Sequence, residues 1–248
     1  MTTVEGIVLK ERIVGEQDKF IDILTREKGM IELSVKGARK INGKSGSSTQ
    51  LFAFSRFCYD KRGDRLILNS SEPVHIFYDI RNTLTGLSLA SYFAEVLRFC
   101  VSERTDSGNV LRLFLNCLHF IEKGTRSQSQ IKSIFELRLM SEIGFMPDVL
   151  ACRECGAFEP DEAYFSFLEG CFYCSDCRPE GDNFKMSLNV LTAVRHIVLS
   201  DMERLFSFRV SGETESRLAC FSELYLTTHL ERSFKTLEFY RSLLSGQM

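Results

Sequence analysis

Five of the nine cysteines of this 248-residue chain fall in one run of 26 residues, CRECGAFEPDEAYFSFLEGCFYCSDC, from Cys152 to Cys177. The pairs Cys152-x2-Cys155 and Cys174-x2-Cys177 stand eighteen residues apart, within the spacing of four-cysteine zinc sites. A two-residue gap lets one tight turn aim two sulfurs at a common centre, and two such turns complete a tetrahedron with Zn–S bonds of about 2.3 Å. Gly156 relaxes the backbone just after the first pair. Cys171 complicates the pattern, because Cys171-x2-Cys174 is an overlapping pair, and the fifteen residues between Cys155 and Cys171 are also permitted.

Other thiol chemistries fit less well. A redox dithiol needs one thiol of low pKa, commonly at a helix N-terminus after a strand, and two pairs at metal spacing do not suggest that. Catalytic zinc keeps a coordination position open, whereas four thiolates fill them all. His229-Leu230-Glu231 matches half of a zinc-deaminase signature, but it follows the cysteines instead of preceding them, and no proline directly precedes either pair. The expectation is a structural Zn²⁺ on Cys152, Cys155, Cys174 and Cys177.

A second feature is electrostatic. The formal net charge is only −2, which argues against a uniformly basic nucleic-acid binder. Between 36 and 65, however, Lys36, Arg39, Lys40, Lys44, Arg56, Lys61, Arg62 and Arg65 stand against only Asp60 and Asp64. A basic block on an otherwise acidic chain suits a polyanion, since each neutralised phosphate releases counterions. Phe52, Phe54, Phe57 and Tyr59 interleave with it, and aromatic rings can stack on unpaired bases; at least half of these four are expected in a core. No GxxxxGK[ST] phosphate loop, G-x-S-x-G elbow or arguable pair of catalytic carboxylates is present. The chain reads as a binding protein and not as an enzyme.

Residues 1–80 must position that block. VEGIVLKERIV, DKFIDILTR, MIELSVKG, FAFSRFCYD, RLILNS and VHIFY are short, often alternating and rich in β-branched and aromatic residues, as strands are. Five or six strands in so short a span hide their edges best by closing into a small barrel. RKINGKSGSST reads as a mobile polar loop. From 82 onward the period lengthens. Leu84, Leu87, Ala90, Ala94 and Leu97 share one helix face, as do Val110, Leu111, Phe114, Leu118 and Ile121 on a second and Ile131, Ile134, Phe135 and Leu139 on a third, which Gly144 and Pro147 stop. Leu188, Leu191, Val194 and Val198 mark another helix, and Leu218, Phe221, Tyr225 and Leu226 open a long last one. The fold expected is a multidomain α+β chain: a β-barrel over 1–80, a helical bundle over 81–150 and 184–248, and a zinc-binding insertion over 151–183. MTTVEGIVLKER lacks the pattern of a signal peptide and no apolar run reaches membrane-helix length, so cytoplasm is the expected compartment.

In order and detail the chain resembles the bacterial recombination mediator family RecO. The resemblance rests on the opening pattern through Gly15-Glu16, Asp18, Gly29 and Lys36-Gly37-Ala38-Arg39, on FELRLMSEIGFMPDVLACRECG (135–156), and on YLTTHLERSFKTLEF (225–239) as a C-terminal helix. It implies an OB-fold for the barrel, a helical domain and an inserted zinc segment. It also implies binding of single- and double-stranded DNA, annealing of complementary strands, and help in loading RecA onto DNA coated by single-stranded-DNA-binding protein (SSB), with RecR as partner, in the cytoplasm at the nucleoid. The family's second cysteine pair follows a Gly-Gly step; here Gly170 is kept and Cys171 replaces the second glycine, which favours Cys174 and Cys177 as the ligands. The long serine-rich loop after Lys40 departs from the family, so Lys44 is a weaker candidate than Lys36 or Arg39. Capture of the SSB tail calls for an apolar pocket rimmed by cations, for which Arg232, Lys235 and Arg241 beside Phe234 and Phe239 are candidates. The rival readings are a thiol-redox enzyme built on the CxxC pairs and a zinc-ribbon transcription regulator.

Overall fold

The computed structural model describes residues 1–37, 46–103 and 106–246, and the chain divides into two compact units, residues 1–122 with 234–248 and residues 123–233. In the first unit, β1 (Thr2–Val14), β2 (Asp18–Thr25), β3 (Gly29–Val35), β4 (Ala53–Arg62) and β5 (Arg65–Ile76) close into a barrel in the order β1-β2-β3-β5-β4. Alternation drives it. β3 buries Ile31, Leu33 and Val35 and turns Glu32 outward, and the inward side chains of β2 and β4 meet them in one core. Gly15 and Gly63 take positive φ at the β1–β2 and β4–β5 hairpin turns, where a side chain would be strained.

All strand pairs are antiparallel except β3 with β5, which share only Leu33↔Leu66 and Ser34↔Ile67. The start of β3 finds other partners: Gly29 bridges to Glu103, and the Met30 N–H donates to the Ser102 carbonyl at 3.3 Å. RLILNS and VHIF form one strand, β5, that runs through Pro73. The pairing slips there, Phe54 facing His75 and Ser55 facing Pro73. Such a bulge is where a strand tolerates a residue without an N–H.

Of the polar loop expected after β3, residues 38–45 lie outside the described residues, and its distal half is anchored. Ser48 and Thr49 are buried, Lys19 Nζ donates to the Thr49 carbonyl at 2.8 Å, and Ser55 Oγ donates to the Ser48 carbonyl at 2.8 Å. Polar composition marks a loop but not whether its carbonyls find donors. Phe52, which follows, holds a left-handed backbone at φ 61 with its ring fully buried, edge-on to Phe114 at 6.2 Å.

Helices α1 (Leu84–Cys100) and α2 (Gly108–Lys123) complete this unit together with the last helix, α6 (Lys235–Leu244). Thr83 caps α1 by accepting from the Gly86 N–H. At α6, Phe234 is buried edge-to-face against Tyr92 and Phe99 at 6.0 and 6.1 Å, and the Thr236 N–H donates to Glu95 Oε2 at 3.1 Å.

The second unit holds α3 (Gln128–Glu142), a sheet of β6 (Glu162–Ser166), β7 (Cys171–Cys174) and β8 (Phe184–Ser187) in the order β7-β6-β8, then α4 (Leu188–Leu199) and α5 (Gly212–Leu230). A buried network joins α3 to α5. Lys132 Nζ lies 2.9 Å from Glu136 Oε1 and 2.8 Å from Glu223 Oε2, and Ser222 Oγ donates to Glu136 Oε2 at 2.6 Å. The segment 225–239, expected as one helix, is broken. α5 stops at Leu230, Glu231 turns left-handed at φ 48, and Phe234 opens α6. Packing thus groups α1, α2 and α6 with the barrel, whereas the sequence groups them with α3, α4 and α5. No helix among the described residues is long and apolar enough to cross a membrane.

Candidate metal centre and nucleic-acid interface

The structure brings Cys152, Cys155, Cys174 and Cys177 together, with all four sulfurs within 4.8 Å of one another. The Cys155 and Cys174 sulfurs lie 3.6 Å apart. A tetrahedron of bonds near 2.3 Å has sulfur–sulfur edges of about 3.8 Å, so the set needs little contraction to close on a thiolate-preferring metal ion. The first pair sits on a tight turn closed by Gly156 N–H to the Cys152 carbonyl at 2.9 Å, with Gly156 at φ 74. The second pair leaves the end of β7, where the Cys177 N–H donates to the Cys174 carbonyl at 3.2 Å. The Arg153 N–H donates to the Phe172 carbonyl at 3.0 Å and stitches the two turns together.

Cys171 stays outside the cluster because of strand parity. Successive residues of β7 face opposite sides, so Cys171 and Tyr173 look one way and Phe172 and Cys174 the other. Consistently, the Cys171 thiol and the Tyr173 hydroxyl both reach Glu169 Oε2, at 3.9 and 2.5 Å.

The thiols are electrostatically unequal. Burial acts to raise Cys152, but the N–H groups of Cys155, Cys174 and Glu154 outweigh it and bring the thiol down to about 6. Cys177 is pushed up to about 12 by its hydrogen-bond contacts with Cys174 and Cys155. Cys155 is lowered by the Ala157 N–H, yet its neighbours Cys152 and Cys174 leave it raised overall. One thiolate forms readily while further negative charge is resisted. A dication relieves that conflict, which is why the donor set fits a metal.

Arg195, on α4, braces the site and carried no signal in the sequence. It is 8 % exposed; Nε donates to the Val149 carbonyl at 2.6 Å, and Nη2 donates to the carbonyls of Leu150 and Phe158 at 2.9 and 2.6 Å. Its guanidinium also lies 4.1 Å from the Phe158 ring centroid. The backbone on both sides of the first cysteine pair therefore hangs on one planar donor. Arg195→Met is expected to cost about 3 kcal/mol, because it strands buried carbonyls. Arg195→Lys should recover only part of that, since one ammonium cannot span the three acceptors. Urea denaturation of the two variants checks both values.

On the barrel, Lys36, Lys61, Arg62 and Arg65 are exposed, and none forms an ion pair among the described residues. Arg62 lies near Asp60, whose carboxyl is held below its usual range first by Asn69 and the N-terminal amine. Arg56 is different: cross-strand register sets it between Glu5 and Glu72, and its guanidinium reaches them at 3.0 and 4.0 Å. Arg39, Lys40 and Lys44 lie outside the described residues. The parallel register sets Leu66 beside Leu33, so Arg65 falls level with Glu32 at the middle of β3, and Lys28 and Lys36 each lie four positions from it, roughly 13 Å at 3.3 Å per residue. Lys28, in the β2–β3 turn, lines one cavity with Lys61 and Arg65 and was not among the sequence candidates.

Of the interleaved aromatics, Phe52, Phe57 and Tyr59 are buried in the core and only Phe54 is half-buried. Stacking on bases by the other three is excluded by where the barrel needs its bulk. Phe234, taken above as part of a partner pocket, is likewise core, 1 % exposed, whereas Phe239 is 47 % exposed.

Comparison with known proteins agrees with this architecture. The family pattern described as "Recombination protein O N terminal" matches residues 1–77, and "Recombination protein O C terminal" matches residues 81–238. A protein named DNA repair protein RecO from Acetivibrio thermocellus is 38% identical over 240 residues, covering 96% of this chain and 95% of the relative. Proteins of the same name from Alkaliphilus metalliredigens and Symbiobacterium thermophilum are 30% and 29% identical, covering 96% and 98% of this chain and 98% of each relative. With both halves matched in order and the barrel, helices and cysteine cluster in their expected places, the chain belongs to the recombination protein O family of DNA repair proteins.

Proposed function

We propose that this protein binds single- and double-stranded DNA without base readout, anneals complementary strands, and assists RecA loading onto SSB-coated DNA together with RecR. The observation that carries the reading is the end of the barrel where Lys28, Lys61 and Arg65 converge as exposed cations without ion pairs among the described residues. Annealing requires two repelling backbones to be held together, and a cationic face achieves this by neutralising phosphates, with no bond made or broken. Lys61, Arg62, Arg65 and Lys36 supply that face. Arg39, Lys40 and Lys44 would extend it from the loop, and Arg56 contributes less because Glu5 and Glu72 already meet its charge.

Zn²⁺ is the proposed ion of the cysteine cluster, held by Cys152, Cys155, Cys174 and Cys177. Bound there with four thiolates it serves as a structural cross-link. The protein partners proposed are RecR and the SSB tail, and RecA through them. Against the thiol-redox alternative stands the close approach of all four sulfurs, which suits one shared ion better than a free dithiol. A zinc-ribbon regulator would require sequence-specific duplex binding. The test is strand annealing of SSB-coated complementary oligonucleotides without ATP: the protein is expected to accelerate duplex formation for unrelated sequences alike. Absence of acceleration, or acceleration for one sequence only, overturns the reading.

A further inference from the structure

The ladder between β2 and β3 ends at the pair Lys19↔Val35. One further step would set Asp18 against Lys36, but the chain turns there, and Gly37 takes a left-handed backbone at φ 61. The Asp18 side chain takes over where the ladder stops: its Oδ1 accepts the Gly37 N–H at 2.8 Å. The next residue does the same for the returning chain. Lys19, only 8 % exposed, donates from Nζ to the Thr49 carbonyl at 2.8 Å and lies 2.7 Å from Glu11 Oε2. Glu11 Oε1 in turn accepts the Leu51 N–H at 2.6 Å. The first two residues of β2 thus grip the chain on both sides, where it leaves the barrel at Gly37 and where it comes back at Thr49.

Of the two, Asp18 is the informative one because of its sign. Lys36 is exposed and forms no ion pair among the described residues. An acid on the neighbouring strand is its natural counter-ion, yet this carboxylate engages a backbone N–H and leaves the ammonium unneutralised. On a surface that binds a polyanion, a carboxylate repels the ligand. That cost is offset if the same group holds a cation in place.

We propose that Asp18 is a positioning residue for phosphate contact by Lys36: by accepting the Gly37 N–H it fixes the backbone from which the Lys36 side chain projects. The proposal rests on the reading that the barrel binds DNA through its cations, and adds to it an acidic residue that touches no phosphate. Without this bond Gly37 regains the wide range of backbone conformations open to glycine. The Lys36 ammonium then spreads over many orientations, and a phosphate contact must overcome the entropy of ordering it.

The test is a fluorescence-anisotropy titration of the full chain with a labelled oligothymidylate at several salt concentrations, with melting curves run alongside. Lys36→Ala is expected to weaken binding about fivefold at 50 mM salt and to lower the log–log salt slope by about 0.7. Removal of a negative charge would by electrostatics alone tighten binding, so the sign of the Asp18→Ala effect decides. It should loosen binding about as much as Lys36→Ala does, with the same loss of slope, and the double variant should be no weaker than either single one. Asp18→Asn keeps an acceptor for the Gly37 N–H and should recover the lost affinity and slope. Asp18→Glu keeps the charge but displaces the acceptor by one methylene, so it should resemble Asp18→Ala and carries the test if the alanine variant does not fold. Affinity equal to or above the wild type in Asp18→Ala, or in Asp18→Glu where it takes that role, overturns the proposal. So do additive losses in the double variant, a loss in Asp18→Asn, or a Lys36→Ala variant that binds like the wild type. Failure of the wild type to bind the oligothymidylate at all instead overturns the DNA-binding reading itself, and the proposal with it.

Discussion

Cys152→Ser is expected to purify without stoichiometric metal and to melt roughly 10–20 °C below the wild type, a loss of several kcal/mol. The size follows from position. Cys152 is 3 % exposed and its sulfur accepts the Cys174 N–H at 3.3 Å, so it is both a proposed ligand and the anchor of the first turn of the second pair. Without metal the two turns are tied only by backbone hydrogen bonds such as Arg153 to Phe172. Cys171→Ser is the matched control and should keep its metal, because that thiol faces Glu169 instead. Metal content and melting curves with and without chelator decide the matter; a wild type without bound metal, or a Cys152→Ser variant that retains it, refutes the account. Acid should act in the same direction. The Cys152 thiol titrates near 6 in the folded chain instead of the ordinary 9. Its ionised form therefore contributes stability that is complete above the unfolded value and lost as pH falls through about 6. Metal release followed with a chromogenic chelator should rise as pH falls, because the thiolate ligands must be protonated before the ion leaves.

Replacing Lys61, Arg62 and Arg65 together with alanine is expected to weaken single-strand affinity about a hundredfold at 50 mM salt and to flatten the log–log salt slope by about two units, at ~0.7 per lost phosphate contact. The loss should be alike for unrelated sequences, because phosphate contacts carry no base information. Arg56→Ala should change the slope far less, since its carboxylate neighbours share register with it across both flanking strands. Titrations at several salt concentrations measure both variants. An unchanged slope in the triple variant would remove the β4–β5 hairpin from the DNA face.

Much of this fold is legible in the sequence because its signals are local. Alternation along β3 and the glycine turns outline the barrel, and three- and four-residue spacing outlines the helices. The spacing of the two CxxC pairs outlines a four-sulfur cluster. What the sequence hides depends on partners distant in the chain. The strands EAYFS, CFYC and FKMS are only four or five residues long, too short to show a period, yet β7 is what turns Cys174 toward the cluster and Cys171 away. Aromatic interleaving around Arg56 looks like a stacking surface until the barrel closes and claims Phe52, Phe57 and Tyr59 for its core. Lys28 stands alone in a turn and gains meaning only when the closed barrel brings it to one cavity with Lys61 and Arg65. The break after Leu230 is equally unannounced: no proline marks it, and what holds it is the burial of Phe234 against Tyr92 and Phe99.

The first unit is discontinuous, and this bears on how the molecule is made. Its barrel and first two helices leave the ribosome early, but Phe234, Leu237 and Tyr240, all buried, emerge only after residues 123–233. The amino-terminal half must therefore wait, with an apolar face of α1 uncovered, while more than a hundred intervening residues emerge and fold. A chain cut short before Phe234 would keep its cysteines and its cations, yet stay prone to aggregation for want of one ten-residue helix.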